Sequence, residues 1–301
     1  MKALCIYNPK AGNGKAGKQL GLVKKLFDTY KIDADIILTQ YPHHGTKILS
    51  EIDLSPYKVL IIAGGDGSMF DAVNAYVRHH LDSQIPVGLL PVGTGNSLSK
   101  DISPDTNSLE SFIKIIRQGH IKHFDLGQVT TTGHQFYFIN MTGFGFTTDV
   151  TLTGVKYKYL GDFAYTLGVL LNLIRLKSYP LQMIINGQTV NLENTYVTIS
   201  NSKFAGGKMM VAPKASVNDG LLDIVIVNKV SRLQLLKTFP KIFDGTYIKS
   251  PYVKYYRTNR IRFTSNHKKI LSPDGEIVGK LPAEIRVLPQ ILPILVDKVF
   301  L

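Results

Sequence analysis

Three glycine-rich turns carry the residues of this 301-residue chain whose types and spacing suit phosphate chemistry. They run from Asn8 to Lys15, from Gly64 to Ser68 and from Pro91 to Ser97. Glycine lets a backbone approach a phosphate closely, and the N–H groups at the start of a following helix attract its charge. The turns therefore predict a polyphosphate site, although a solvated basic connection explains the first turn, taken alone, equally well.

Asp66 is the acidic side chain of the second turn. It stands between Gly65 and Gly67, shortly after the apolar run Val59 to Ile62. A carboxylate at this position is costly unless it holds a metal or a reacting group. This favours a role in chemistry over the alternative, a plain helix cap.

The elements before these turns are short apolar runs that alternate with helix-like segments. This rhythm predicts an α/β domain over residues 1–125, with a parallel sheet covered by helices. Ligands of open α/β sheets bind beyond the carboxyl ends of the strands, so the second and third turns should converge there. The predicted strands are Ala3–Tyr7, Asp35–Leu38, Val59–Ala63 and Val87–Leu90, and a helix is predicted over Met69–His80.

A different rhythm follows Asp125. Shorter, alternating runs predict a mainly antiparallel β domain over residues 126–301, and Asn186-Gly187 predicts a tight hairpin because both positions need positive φ. The final strand, about residues 285–301, is a candidate for return to the first domain. The other predicted strands are Gln135–Met141, Leu181–Ile185, Thr195–Ser200, Leu222–Val227, Val253–Tyr256 and Arg260–Phe263.

The bulk composition is that of a basic globular protein. A formal net charge of +13 favours anionic partners, which include nucleotides, nucleic acid and anionic membrane surfaces. Cys5 is the single cysteine, which excludes an internal disulfide and fits a reducing cytosol. No secretory signal is visible, and the apolar segment Phe163–Leu176 is too short to span a bilayer, so it is predicted as a core helix and the protein as cytoplasmic.

Together the three turns resemble the catalytic domain of the diacylglycerol kinase family, which includes sphingosine kinases and soluble bacterial lipid kinases. Asn8-Pro9 with its following glycines, Gly64–Ser68 running on through Asp71 and Asn74, and Gly93–Asn96 match the family's motifs in type and spacing. The resemblance covers nearly the whole chain. It implies a nucleotide-binding α/β domain and a β-sandwich domain, with the active site in the cleft between them.

The resemblance also implies ATP as the phosphoryl donor and Mg²⁺ as its metal. Thr39 matches only by its place at the end of the second strand, where a plain strand-terminal threonine is the alternative. The residues implied to line the ATP site are Asn8, Pro9, Lys10, Ala11, Gly12, Thr39, Gly64, Gly65, Gly67, Ser68, Asp71, Thr94, Gly95 and Asn96.

Asp274-Gly275-Glu276 resembles the family's segment with the catalytic acid. This implies Glu276 as the general base that takes the proton of the acceptor hydroxyl, while Asp66 orients magnesium and the phosphates. In sphingosine kinases the acid of the Gly-Asp-Gly turn is itself the proposed base, so these roles stay exchangeable. A surface turn is the alternative for residues 274–276.

Asn218–Asp223 resembles the family's structural magnesium loop. The likeness implies that Asp219 holds the ion together with main-chain oxygens near Ser216 and Leu221, since hard cations prefer oxygen ligands. A turn without metal is the alternative, because Asp-Gly is frequent in hairpins.

Ser97 departs from the family's pattern. Bacterial diacylglycerol kinases usually carry Asp at this position, where it helps to organise metal and water, whereas sphingosine kinases also lack the acid. Ser97 therefore predicts either an acceptor nearer to a sphingoid base or a lower activity.

The stretch from Lys229 to Lys269 is basic and contains one acidic residue, Asp244. Its apolar residues predict a helix that lies on an anionic membrane, and a solvated basic face with those residues in the core is the alternative. The basic residues are Arg232, Lys237, Lys241, Lys249, Lys254, Arg257, Arg260, Arg262 and Lys268, and the apolar ones are Leu235, Leu236, Phe239, Ile242, Phe243 and Tyr247.

These observations predict an ATP-dependent lipid kinase with diacylglycerol as the leading acceptor and peripheral membrane association. Nucleic acid is not expected as a partner, since no recognised binding module is present. A sphingoid-base kinase, an NAD kinase and a nucleotide-sensing membrane-docking module without catalysis are the alternatives. The sequence leaves open whether two copies form a homodimer.

Overall fold

The computed structural model describes residues 1–103, 108–146, 148–149, 152–153, 172, 176–206, 208–264 and 269–301. The chain divides into two compact units, one of Met1–Leu126 with Pro289–Leu301 and the other of Gly127–Leu288. The predicted helix Phe163–Leu176 lies outside the described residues except for residues 172 and 176, and so does Lys268 of the basic stretch.

The first unit contains a parallel sheet. Its strands are β1 Lys2–Tyr7, β2 Asp33–Leu38, β3 Val59–Gly64 and β4 Val87–Pro91. β3 pairs with β1 and β4, β1 pairs with β2, and Ile294 near the end of the chain pairs with Val87, all in parallel. Every residue of β3 is buried, as is usual for strands of parallel sheets. The four predicted strands are thus confirmed to within one or two residues.

Helices follow these strands along the chain. They are α1 Lys15–Thr29, α2 His44–Glu51, α3 Asp66–His79, α4 Ser97–Ile102 and α5 Leu109–Gln118, with 3₁₀ turns at Leu81–Ser83 and Lys298–Phe300. α3 begins three residues before the predicted Met69, because Asp66, Gly67 and Ser68 form its first turn despite the low helix propensity of glycine. Asp66 therefore lies at the amino end of a helix.

None of the helices in the described part of the chain is long and apolar enough to cross a membrane.

The second unit is mainly antiparallel. Its strands are β5 Ile121–Thr131, β6 His134–Phe138, β7 Met141–Gly145, β8 Tyr179–Ile185, β9 Gln188–Ser200, β10 Phe204–Ala205, β11 Met209–Met210, β12 Leu222–Asn228, β13 Val253–Thr258, β14 Arg260–Phe263 and β15 Ala283–Leu295. Antiparallel pairs join β13 to β12, β12 to β9, β9 to both β8 and β7, β8 to β14, β14 to β15, and β5 to β6. β5 and β15 each contribute residues to both units.

Short helices complete the described part of the second unit. They are α6 Arg232–Thr238 and 3₁₀ turns at Phe239–Ile242, Thr246–Lys249 and Pro273–Gly275. The hairpin at Asn186-Gly187 is confirmed, with φ of +50° and +76° at its two residues.

The predicted strand Gln135–Met141 is wrong as one element. It is split into β6 and β7, because the N–H groups of Ile139, Asn140 and Met141 donate to the carboxylate of Asp274 instead of to a neighbouring strand. The split places Asp274 beside the bend between the two strands.

Candidate active site

The three glycine-rich turns contact one another in the first unit. A Cβ atom on Gly93 would lie 2.3 Å from Cα of Gly65, and one on Gly12 would lie 2.8 Å from the carbonyl oxygen of Val92. Gly12 also has a φ of +58°, which favours glycine. The second and third turns therefore converge as the strand order predicts, and the first turn joins them.

Asn8 links the first turn to the second. Its side-chain amide donates to Oγ of Ser68 at 3.2 Å, and its side-chain oxygen accepts the Lys10 N–H at 3.0 Å. The Lys10 ammonium donates to the carbonyl oxygen of Gln40 at 3.2 Å and is exposed. Since an ammonium has three donors, Lys10 keeps hydrogens that can reach a phosphate.

Asn96 closes the third turn with its own side chain. Its Oδ1 accepts the Gly93 N–H at 3.1 Å, and its Nδ2 donates to the Gly93 carbonyl oxygen at 2.7 Å. The Asn96 backbone lies in the left-handed region, with a φ of +50°. These bonds hold the turn in one shape, with Thr94 exposed at its tip and Gly95 half-buried.

Asp66 is held by Ser97 from the third turn. Oδ1 of Asp66 accepts the Ser97 N–H at 2.7 Å, and Oδ2 accepts the Ser97 hydroxyl at 3.0 Å. Burial raises the pKa of Asp66, and the two hydrogen bonds from Ser97 partly oppose that rise. The residue that the sequence marks as a departure from the family thus orients the acid of the second turn.

Asp71 is paired with a histidine that the sequence analysis did not single out. Nδ1 of His43 lies 2.8 Å from Oδ1 of Asp71, and His43 has a φ of +62° just before α2. Thr39 lies in the same connection after β2, where its N–H donates to the Tyr7 carbonyl oxygen at 2.8 Å. His43 could have been predicted as a site residue from its position after β2, because that end of the strand lies at the same edge of the sheet as the turns.

The amino ends of α1 and α3 have no side-chain cap. The first N–H groups of a helix have no partner within it, and phosphate oxygens suit that role. Lys10 and Lys15 add two exposed cations beside the first turn. The uncapped helix ends and the nearby ammonium groups supply donors for phosphate oxygens. The glycines leave room for the phosphates because they have no Cβ atom.

In the second unit, Asp274 supports the turn that carries Glu276. Its carboxylate accepts the N–H groups of three successive residues, Ile139 to Met141, at 2.9–3.0 Å. The Asp274 backbone is left-handed, with a φ of +46°, and the Glu276 N–H donates to the Pro273 carbonyl oxygen at 2.7 Å. Asp274 is buried and Glu276 is half-buried. The first acid of the segment is therefore structural.

The predicted structural magnesium loop is held by an arginine in this structure. Asp219 pairs with Arg257 through Oδ2 and accepts the Leu221 N–H at 3.1 Å through Oδ1, while Ser216 donates to the side-chain oxygen of Asn218 at 3.2 Å. Within the described residues, no group of three or more His, Cys, Asp and Glu side chains is placed to hold a metal ion. Asp219 is thus engaged by Arg257 in this arrangement, and its role as a magnesium ligand stays a prediction.

The second unit also contains an apolar cavity of about 80 Å³. The lining has no charged side chain and consists of Met141, Phe146, Tyr196, Ala205, Met209, Val211, Val227, Val230, Leu235, Thr238, Phe239, Ile242, Tyr247, Tyr252 and Val253. Sequence reasoning missed this cavity because its walls come from strands and helices far apart in the chain.

The predicted site residues are divided between the two units. The first unit holds the acid Asp66 and all the residues predicted to contact ATP, and three of the turns that carry them are in contact. Glu276, Ser216, Asp219 and Leu221 belong to the second unit.

Comparisons with known proteins cover both units. Residues 2–129 match the diacylglycerol kinase catalytic domain, and residues 142–296 match the YegS C-terminal NAD kinase beta sandwich-like domain. Diacylglycerol kinase of Bacillus subtilis (strain 168) is 28% identical over 285 residues, which cover 94% of this chain and 92% of that protein. Sphingosine kinase 1 of Arabidopsis thaliana is 24% identical over 334 residues, covering 93% of this chain and 69% of that protein.

A solved structure shares the fold. The crystal structure of a diacylglycerol kinase from Bacillus anthracis str. Sterne matches with a TM-score of 0.75 and 20% identity, covering 100% of this chain and 98% of that one. The predicted fold class, a parallel α/β domain followed by a mainly antiparallel β domain, is confirmed. Taken with the two matched domains, the chain belongs to the diacylglycerol kinase and sphingosine kinase family and is a lipid kinase.

Proposed function

We propose that this lipid kinase transfers the γ-phosphoryl group of ATP to a hydroxyl of a membrane lipid, with diacylglycerol as the leading acceptor and a sphingoid base as the alternative. The observation that carries the proposal is the uncharged apolar cavity of the second unit. A lipid needs an apolar space for at least one hydrocarbon chain, whereas the transferred phosphate needs the donor-rich turns of the first unit.

The contacts among the glycine-rich turns support the proposed ATP site. Gly12, Gly65 and Gly93 permit a close backbone approach, and the uncapped ends of α1 and α3 supply N–H donors for phosphate oxygens. Lys10 adds a charge that favours a polyphosphate over a neutral ligand. Asp66, oriented by Ser97, is the carboxylate nearest these donors along the chain.

Glu276 is the proposed general base. Its carboxylate takes the proton of the acceptor hydroxyl while the hydroxyl oxygen forms a bond to the γ-phosphorus. The bond from that phosphorus to the bridging oxygen of ATP breaks, and its electron pair leaves with ADP. Asp274 keeps the turn of Glu276 in place through its three N–H bonds.

We propose that Asp66 binds the phosphates of ATP through a magnesium ion. Magnesium bound with ATP would supply positive charge against the negative charge of the transferring group. Ser97 keeps both Asp66 oxygens in a fixed orientation, and its hydrogen bonds favour the ionised carboxylate that a cation requires.

The polar atoms of the cavity favour an apolar acceptor over a polar one. The hydroxyl of Tyr247 donates to the Val211 carbonyl oxygen, that of Tyr252 accepts from Gln234, and that of Tyr196 accepts from Thr198. These hydroxyls are already engaged within the protein. The cavity therefore offers mainly hydrocarbon and ring surface, which suits an acyl or sphingoid chain and not the charged phosphates of NAD.

The test is transfer of labelled phosphate from ATP to separate panels of diacylglycerol, sphingoid base and NAD. We expect label in a lipid, and a kcat for Glu276→Gln lower by about 100-fold or more. Glu193→Gln is the matched control, because Glu193 is an exposed acid of the same unit that pairs with Lys229. Label in NAD alone would replace the proposal, and equal rates for wild type and Glu276→Gln on every lipid would remove Glu276 as the base.

A further inference from the structure

The segment from Arg232 to Phe243 has two apolar faces. On the inner face, Leu235, Thr238, Phe239 and Ile242 all line the apolar cavity. Their spacing of three, four and seven residues is that of one side of a helix. These side chains give α6 and the 3₁₀ turn after it an inner side that faces the cavity.

The outer face carries large apolar side chains that stay about half exposed or more. Leu233, Leu236 and Phe243 are exposed by 62%, 49% and 51%. Leu233 and Leu236 are three residues apart on one side of α6, and Phe243 follows the 3₁₀ turn after that helix, so the three form an exposed apolar stripe along this segment. Single exposed apolar residues are ordinary, but a stripe directly outside an apolar cavity calls for an explanation.

Cations flank this stripe. Arg232, Lys237 and Lys241 are exposed, and in the described part of the chain none of them forms an ion pair. The acid of the stretch, Asp244, uses one carboxylate oxygen to accept the N–H and hydroxyl of Thr246, at 2.9 Å and 2.6 Å. The charge of the outer face is therefore positive.

Three arginines of the predicted basic stretch behave differently. Arg257 pairs with Asp219, and Arg260 and Arg262 both pair with Glu284. The expectation that Asp244 alone opposes the basic residues is wrong, because the opposing acids lie elsewhere in the chain. At α6, by contrast, cations that form no ion pair within the described residues lie next to exposed apolar side chains.

The structure around α6 holds this face in a fixed orientation. Ser231 and Gln234 form a capping box, in which Gln234 N–H donates to the Ser231 hydroxyl at 3.2 Å and the Ser231 N–H donates to Gln234 Oε1 at 2.8 Å. The Gln234 amide also donates to the Tyr252 hydroxyl, and the Phe239 and Phe243 rings pack edge to face at 6.1 Å. The outer stripe is therefore presented by a stabilised element.

We propose that the α6 face, defined as Arg232, Leu233, Leu236, Lys237, Lys241 and Phe243, docks on an anionic lipid bilayer. Apolar side chains on a helix enter the boundary between head groups and acyl chains, and neighbouring cations attract anionic lipids. Because the other side of the same segment lines the cavity, docking would bring the cavity wall to the bilayer. This inference rests on the proposed lipid acceptor and adds the surface by which the enzyme meets it.

The test is co-sedimentation of the full chain with vesicles, without ATP or acceptor lipid. We expect binding to vesicles that contain phosphatidylglycerol, weak binding to pure phosphatidylcholine, and release by high salt. Leu233→Ser with Leu236→Ser and Phe243→Ser should lower the bound fraction roughly tenfold, and Arg232→Gln with Lys237→Gln and Lys241→Gln should lower it several-fold.

Matched controls are available on α1 of the first unit. Leu22 is exposed by 51%, and Lys24 and Lys25 are exposed cations, so Leu22→Ser and Lys24→Gln with Lys25→Gln make the same chemical changes elsewhere. Circular dichroism and Tm verify that each variant is folded. Equal binding by wild type and the α6-face variants, or an equal loss in the α1 controls, would overturn the proposal.

Two further readouts separate the possible causes of failure. If the α6-face substitutions turn a dimer into a monomer while vesicle binding is unchanged, the face binds a second copy and the proposal is wrong. Transfer to a dispersed short-chain acceptor should be unchanged in the α6-face variants, which would support a docking role. If no lipid is phosphorylated but anionic vesicles still bind through this face, the proposed function fails and the docking surface stands.

Discussion

Both carboxylate oxygens of Asp66 accept hydrogen bonds from Ser97, one from its N–H at 2.7 Å and one from its hydroxyl at 3.0 Å. The two residues begin neighbouring helices, α3 and α4. Burial raises the pKa of Asp66, and these bonds favour its ionised form. An aspartate at position 97 would place a second negative charge beside Asp66, whereas the serine donates hydrogen bonds that favour the ionised carboxylate.

Ser97→Ala should therefore shift the acid limb of the pH–activity profile to higher pH. Loss of the hydroxyl removes one hydrogen bond to the ionised carboxylate, so the pKa of Asp66 rises further and activity falls earlier as the pH is lowered. Ser97→Asp should shift the limb in the same direction by charge repulsion. The measurement is kcat/KM against pH, with a decrease of about 2- to 10-fold expected on the acid side for the alanine variant.

Ser99→Ala is the control for that experiment. The Ser99 hydroxyl donates to the Asn96 carbonyl oxygen at 2.6 Å in the same turn and makes no bond to Asp66. Its acid limb should match that of wild type. An unchanged limb in both Ser97 variants would show that Asp66 does not need to be ionised for activity.

His43→Gln should weaken ATP use without slowing chemistry. Nδ1 of His43 lies 2.8 Å from Oδ1 of Asp71, a residue predicted to line the ATP site, so the histidine restricts the orientation of that carboxylate. The pair is partly exposed, which limits its energy to about 1 kcal/mol or less. We expect the KM for ATP to rise by about 2- to 5-fold with kcat nearly constant.

The control for His43 is His79→Gln, an exposed histidine at the end of α3. Steady-state kinetics with varied ATP and saturating lipid make the comparison. A fall in kcat with an unchanged KM for ATP would place His43 in the chemical step instead.

Asp274→Asn should destabilise the second unit. The ionised carboxylate accepts three backbone N–H groups, and an asparagine has one carbonyl oxygen and an amide group that cannot accept. Hydrogen bonds to charged groups contribute about 1.5–3 kcal/mol each, so we expect a loss of about 2–4 kcal/mol. Urea denaturation followed by fluorescence measures the change.

Glu276→Gln separates the two acids of that segment. Glu276 is not among the side chains that hold residues 139–141, so this variant should unfold at the same urea concentration as wild type while losing activity. If Asp274→Asn unfolded like wild type, the three bonds would contribute little to stability.

Much of the fold was predictable because local patterns determine it. The apolar runs before each glycine turn give β1, β3 and β4 within a residue or two, and the order of these strands brings Gly65 and Gly93 together. Asn186-Gly187 gives its hairpin because two positive φ values suit few other dipeptides. In each case the information lies within a few neighbouring residues.

Contacts between residues far apart in the chain were not predictable. Asp274 binds amides more than 130 residues before it, and this contact splits a run that looks like one strand. Arg257 meets Asp219 across 38 residues and places a guanidinium beside the loop that the sequence predicts to bind magnesium. The sequence identifies the acids, but only the fold shows which groups bind them.

Chelation should therefore leave the thermal stability of the protein unchanged. Asp219 already pairs with Arg257, whose Nε also lies 3.4 Å from Oδ1 of the buried Asp223. Tm measured with and without EDTA should agree, whereas Arg257→Gln should lower stability by about 1–3 kcal/mol because two acids lose their cation. A clear fall in Tm on adding EDTA would favour the magnesium loop that the sequence predicts.

Ala205→Leu should shorten the hydrocarbon chain that the enzyme accepts. Ala205 lines the apolar cavity from β10, and three added carbons would occupy part of its space. We expect kcat/KM for a long-chain diacylglycerol to fall by about 10-fold or more, since one methylene in a hydrophobic pocket changes discrimination by about 1–3 kcal/mol. The value for a short-chain diacylglycerol should stay within about twofold, because a short chain leaves that space free.

Lys203→Leu is the matched control, since it adds the same side chain two residues away at an exposed position that does not line the cavity. Overpacking costs about 1–3 kcal/mol, so Tm is measured for both variants before the kinetics are compared. A folded Ala205→Leu enzyme that loses long and short acceptors equally would show that the cavity does not hold the lipid chain. A selective loss of the long acceptor would instead assign the chain to this cavity, because the substitution changes its space and leaves the phosphate turns of the first unit untouched.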